Sequence, residues 1–126
     1  MHRRLLTIAL LLVPPSLWAG GLTFDETLVD LTAGRGAGKA FGEFRFTNTS
    51  DQPIRLRSVP ASCGCIVARP EKRDYAPGER GVIPFAYGPK GKDGTHAYRV
   101  YVVTNEKGRP YELLLRITEQ PAAPEP

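Results

Sequence analysis

Apolar side chains recur at every second residue along most of this chain, and that period commits it to strands. Phe44 and Phe46 alternate with Glu43, Arg45 and Thr47, and Ile54 and Leu56 with Arg55 and Arg57. Tyr98, Val100 and Val102 oppose Arg99, Tyr101 and Val103, while Tyr111, Leu113, Leu115 and Ile117 oppose Glu112, Leu114 and Arg116. Successive strand side chains point to opposite faces, so each run describes a sheet with one face on a core. Turn clusters divide the runs: Asn48 to Pro53, Pro77 to Gly81, Gly88 to Gly94, and Asn105 to Gly108. Leu22 to Leu31 supplies one or two further short strands, and Gly34 to Gly38 reads as a loop. No segment after residue 19 sustains a helical period. About seven short strands over roughly 100 residues predict an all-β, immunoglobulin-like antiparallel β-sandwich. Pro84 falls within the run Val82 to Tyr87. Proline cannot donate to a ladder, so this strand is expected at a sheet edge or at a bulge.

The first residues obey a different rule. Met1-His2-Arg3-Arg4 is a basic head, Leu5 to Val13 is uncharged, and Pro14 to Ala19 ends in a small residue. That order predicts a cleaved signal peptide over residues 1–19, cut near Ala19. The apolar run is well short of the roughly 20 residues a membrane helix needs. The expected layout is therefore signal peptide 1–19, sandwich domain 20–118 and disordered tail 119–126, with the mature protein in the periplasm or otherwise outside the cytoplasm. Loss of Arg3 and Arg4 lowers the formal charge from +4 to +2. No clustered basic face with reading aromatics is present, so nucleic acid is not an expected partner. Gly34 to Lys39 has the wrong spacing for a phosphate loop, and Ala40 stands where a hydroxyl would hold magnesium. Nucleotide is therefore not an expected ligand either. Asn48-Thr49-Ser50 matches a glycosylation sequon, for which a β-turn is sufficient explanation. No nucleophile elbow, paired-carboxylate motif or histidine network occurs, and after residue 19 the sole histidine is His96. Triad chemistry therefore lacks a base, and no catalytic residue is assigned.

What remains is Ser62-Cys63-Gly64-Cys65, which holds both cysteines. In an extended strand, positions two apart have α-carbons about 6.6 Å from one another, at the upper edge of the disulfide range. Gly64 permits positive φ and would let the chain pinch inward. Four readings stay open here: a local structural pair, a redox-active dithiol, a soft-metal site for copper or zinc, and covalent attachment to another molecule. Positive charge lowers a thiol's pKa, and Arg55, Arg57, Arg69, Lys72 and Arg73 lie nearby in sequence. Two thiolates suit Cu(I), and zinc also accepts them. His96 is the weak third ligand, although its place after Gly94-Thr95 reads first as an exposed loop histidine. A blue-copper centre needs two histidines and a cysteine, which this chain does not supply after residue 19.

Four pieces now fall in order: Phe44 to Ile54 with its Asn48 turn, Ser62 to Cys65 with Gly64, Pro77-Gly78-Glu79, and Val103-Thr104-Asn105. The series resembles a bacterial exported family known as a domain of unknown function, DUF1573, over about Leu22 to Ile117. That family is similar to Hydin-type immunoglobulin-like domains and, more distantly, to pilus-chaperone and sperm-protein sandwiches. One departure is Ile66, where the resemblance leads one to expect threonine. The resemblance implies the sandwich, and a non-enzymatic binding or assembly module with another envelope protein as partner. The route expected for that partner is strand addition at an exposed edge such as the Pro84 strand, or a loop face. The alternative function is a thiol site at Cys63 and Cys65 that binds a soft metal or exchanges disulfides.

Overall fold

The computed structural model describes residues 21–34, 38–91 and 93–120. The expected signal peptide, its cleavage site, and residues 121–126 of the expected tail lie outside the described residues. Nine strands run β1 (Leu22–Phe24), β2 (Leu28–Gly34), β3 (Ala40–Asn48), β4 (Ile54–Ser58), β5 (Ile66–Ala68), β6 (Asp74–Tyr75), β7 (Arg80–Tyr87), β8 (Gly94–Thr104) and β9 (Tyr111–Gln120). They form two sheets, ordered β1-β3-β7-β5 and β2-β9-β8-β4-β6. The all-β sandwich is therefore as expected, with two short strands more than the seven anticipated.

The route of the chain is simple. From β1 to β8, successive strands alternate between the two sheets, and β8–β9 is the one pair of consecutive strands that hydrogen-bond to each other among the described residues. Every pairing is antiparallel except β2 with β9, which runs parallel from Leu28↔Leu114 to Gly34↔Gln120. A parallel neighbour requires a crossover between the two strands, and here that crossover is the whole run from β3 to β8. β9 also runs past the expected domain end at residue 118, and Glu119 is buried.

The core lies between the sheets. Phe44, Phe46, Ile83, Phe85 and Tyr87 come from one side, and Ile54, Leu56, Val100, Val102, Leu113, Leu115 and Ile117 from the other. The aromatic rings meet edge-on or tilted, with Phe46–Tyr75 centroids at 4.8 Å and Phe44–Phe85 at 5.2 Å. These are the geometries aromatic quadrupoles favour. Ile66, where threonine was expected, is buried in the same cluster.

Pro84 requires a correction. Its strand, β7, is not an edge: β3 pairs along one side and β5 along part of the other. The edges of that sheet are β1 and β5. The interior position is tolerated because of where Pro84 falls in the register. β5 ends at Ala68, paired with Phe85, so Pro84 faces Arg69 on the next rung. There the Arg69 N–H donates to the Pro84 carbonyl at 2.9 Å. The bond that proline cannot make would have ended on the carbonyl of Arg69, an exposed residue just past the end of β5.

Candidate functional site

Three of the four motif pieces are accounted for by the fold itself. Asn48 is fully buried and its amide makes four bonds. Nδ2 donates to the carbonyls of Gln52 at 2.9 Å and Tyr75 at 3.0 Å. Oδ1 accepts from the Ser50 N–H at 3.0 Å and the Ser50 hydroxyl at 2.7 Å. The Gly78 N–H donates to the Asn48 carbonyl at 2.7 Å, and the Asn48 N–H to the Glu79 carbonyl at 2.9 Å. The Asn48 turn and the Pro77-Gly78 turn are thus one knot. Ala76 to Glu79 closes with a 3.0 Å backbone bond, and Gly78 has φ 79°. Proline followed by a left-handed glycine is a type II turn. Glu79 accepts from the Ala76 N–H and pairs with Lys72, which together hold its carboxyl below the usual range, Lys72 being the larger cause. At the third piece, the Asn105 side chain accepts the Arg55 N–H at 2.9 Å and pins β8 to β4.

The fourth piece is different. After β4 the chain continues along β8, through Tyr101 N–H to the Pro60 carbonyl, the Ala61↔Val100 bridge and two bonds between Ser62 and Arg99. It then turns sharply and enters β5 in the opposite sheet. Cys63-Gly64-Cys65 is that corner, closed by the Ile66 N–H donating to the Cys63 carbonyl at 3.2 Å. Cys63 and Cys65 are joined by a disulfide with their α-carbons 5.2 Å apart. The pinch therefore exists, but by a different means from that expected. Gly64 is not among the left-handed glycines, and an added Cβ there would meet nothing within 4 Å. The hydrogen-bonded turn draws the cysteines together.

Beyond the corner lies a groove of about 620 Å³ on the outer face of the four-stranded sheet. The two registers order its lining into rows across β3, β7 and β5. One row is Phe41, Ala86 and Val67. On one side of it lie Lys39, Gly88 and Cys65, and on the other Pro84 and Arg69, with Glu43 completing that rung. Phe41 is 70% exposed and Val67 47%. Two large apolar groups thus flank a small alanine on a face turned to solvent. Contiguous exposed apolar surface of this kind marks interaction sites. Charge on the face is unbalanced. Glu43 is held by Arg45 at 2.6 Å, whereas Lys39 and Arg69, at opposite corners, have no ion pair among the described residues.

The sequence led to only part of this. Of the basic residues near the cysteines in sequence, Arg69 alone lines the groove. Lys72 pairs with Glu79, Arg55 with Asp74, and Arg73 donates to the Arg57 carbonyl. Lys39 arrives instead from β3. Phe41, Val67 and Ala86 were not singled out, although Phe41 carries a signal: with Phe44 and Phe46 inward, position 41 falls on the polar face of its own strand. His96 is not a loop residue. It lies in β8 opposite Ile117, half-buried, with Nε2 buried and without a hydrogen-bond partner. Among the described residues no group of three His, Cys, Asp or Glu side chains could hold a metal ion. Beneath the groove, burial pushes the Tyr87 hydroxyl well above the usual phenol range, with Tyr98 and Glu119 as lesser causes.

The fold is similar to that of several solved proteins. A Porphyromonas gingivalis W83 protein of unknown function matches with TM-score 0.67 and 17% identity, covering 79% of this chain and 46% of that one. The Vibrio cholerae VesB protease matches at 0.60 and 17%, covering 83% of this chain and 33% of that one. The Pseudomonas aeruginosa CupB2 chaperone matches at 0.58 and 14%, covering 77% and 55% respectively. The chain thus spans about half or less of each of these proteins. No curated protein matches it. Among the described residues, no helix is long and apolar enough to cross a membrane. Residues 22–118 match the family described as "Protein of unknown function (DUF1573)", and the chain belongs to that family.

Proposed function

We propose that this protein is an exported binding or assembly module that receives an extended segment of another envelope protein in the groove across β3, β7 and β5. The observation that carries this reading is the row Phe41, Ala86 and Val67, an apolar strip on a face that the fold leaves to water. From the Lys39 row to the Arg69 row is two steps of two residues, about 13 Å at strand rise. That length fits an extended segment offering two or three alternate side chains. The unpaired cations at both ends favour acidic flanks on the segment. The export signal read at residues 1–19 supports the envelope as the setting.

Phe41→Ser tests it. Phe41 touches solvent over most of its surface, so the variant should fold with stability within about 0.5 kcal/mol of the parent. Burying a phenylalanine on binding contributes about 1.5–3 kcal/mol. Extended peptides selected from a display library should therefore favour apolar residues between acidic ones and bind Phe41→Ser at least about tenfold more weakly by fluorescence anisotropy. Selected peptides that bind parent and variant equally would refute the groove as the docking place.

A further inference from the structure

The disulfide stands at one end of this groove, and its two sulfurs are not equivalent. Cys65 lines the groove and Cys63 does not. Cys65 also occupies a rung of the sheet opposite Gly88, and the Gly88 N–H donates to its carbonyl at 2.8 Å. The reciprocal bond is absent. The Cys65 N–H is diverted to Cys63 Sγ, 3.2 Å away. A ladder donor is thus aimed at the sulfur of the cysteine that does not line the groove.

That arrangement is polarised for exchange. A thiolate attacks one sulfur of a disulfide and expels the other, and expulsion is faster when the leaving thiolate is stabilised. An N–H bond to Cys63 Sγ stabilises negative charge there. Lys39 in the same row as Cys65, and Arg69 two rows away, make the groove favourable to an arriving anion.

We infer that Cys63–Cys65 is an exchange-active disulfide that oxidises a dithiol on the segment docked in the groove, with Cys65 attacked and Cys63 leaving. The inference rests on the groove as the docking place. In the first step a substrate thiolate forms a bond to Cys65 Sγ. The electron pair of the Cys63–Cys65 bond passes to Cys63 Sγ, which takes a proton from water. In the second step the other substrate thiolate attacks the substrate sulfur of the mixed disulfide and expels Cys65, which is protonated in turn. The substrate dithiol has then lost two electrons and two protons, and Cys63 and Cys65 have gained them. One round needs no other oxidant.

The probe is a synthetic extended peptide with alternate leucines, flanking glutamates and two cysteines, mixed with the full-length oxidised protein. A polar peptide with the same two cysteines is the comparison. Alkylation after an acid quench, then mass spectrometry, locates the mixed disulfide. The expected result is peptide joined predominantly to Cys65, with the leucine peptide oxidised at least about tenfold faster than the polar one. Phe41→Ser should bring the rate of the leucine peptide down to that of the polar one. Mixed disulfide mainly at Cys63, or a bound leucine peptide that is never oxidised, would overturn the inference while leaving the groove intact. Failure of the leucine peptide to bind at all in anisotropy would overturn both readings together.

Discussion

Asn48 is a fully buried amide in which every donor and acceptor position has a partner. The sequence presents it as the head of a polar turn, and as a turn residue it is easily explained. Its second task, accepting and donating across to Tyr75 and the Pro77-Gly78 turn, is a long-range one that local pattern does not reveal. Asn48→Ala would leave the Ser50 N–H without its acceptor and take one donor each from the Tyr75 carbonyl and from the Gln52 carbonyl, which keeps the Ser50 hydroxyl, and an unsatisfied buried group costs about 1–3 kcal/mol. The variant should lose about 2 kcal/mol in urea unfolding, since the bonds lost join two turns in a buried network. A loss below about 0.5 kcal/mol would show that water replaces the amide without penalty. The same burial removes Asn48 from any modifying enzyme in the folded protein, so the sequon is explained by structure alone.

Individual strands were readable because alternation is a local property. Phe44 and Phe46 point inward as their phase demands, as do Val100, Val102, Leu113, Leu115 and Ile117. Neighbours were not readable in the same way. β5 is three residues long and gives almost no periodic signal, yet it is the strand that covers β7 and makes Pro84 an interior residue. The corner leading into β5 is held by Ser62 on Arg99, by the bridge at Ala61 and by the Cys63–Ile66 turn. The disulfide adds a very small closed loop to an element already pinned. In the chain-entropy view so short a loop contributes about 1.5 kcal/mol. Cys63→Ser combined with Cys65→Ser should therefore fold, with an unchanged circular dichroism spectrum and a midpoint lowered by about 7 °C. Collapse of the fold in that variant would make the bond a structural staple.

At the scale of the molecule, the candidate site is a consequence of topology. The chain alternates between sheets from β1 to β8. β3, β7 and β5 are therefore brought side by side from segments far apart in sequence, and Lys39, Phe41, Ala86, Val67 and Cys65 meet only in the folded sheet. The cysteines were legible because they are scarce. Their setting was not, because it depends on registers that no local pattern encodes. The sequence neighbours of the pair supplied one of the groove's two cations, Arg69, and the other came from a different strand. A face that carries Phe41 in the wrong phase of its strand, two unpaired cations and a polarised disulfide is more than packing requires.

The most direct test of this account is amide chemical-shift mapping of the labelled protein as an acidic, leucine-bearing extended peptide is added. The account predicts shifts concentrated at Phe41, Cys65, Val67, Ala86 and Gly88, with the five-stranded sheet unmoved. Shifts confined to the β2 or β6 edge, with the Phe41, Ala86 and Val67 amides unchanged at saturation, would contradict it.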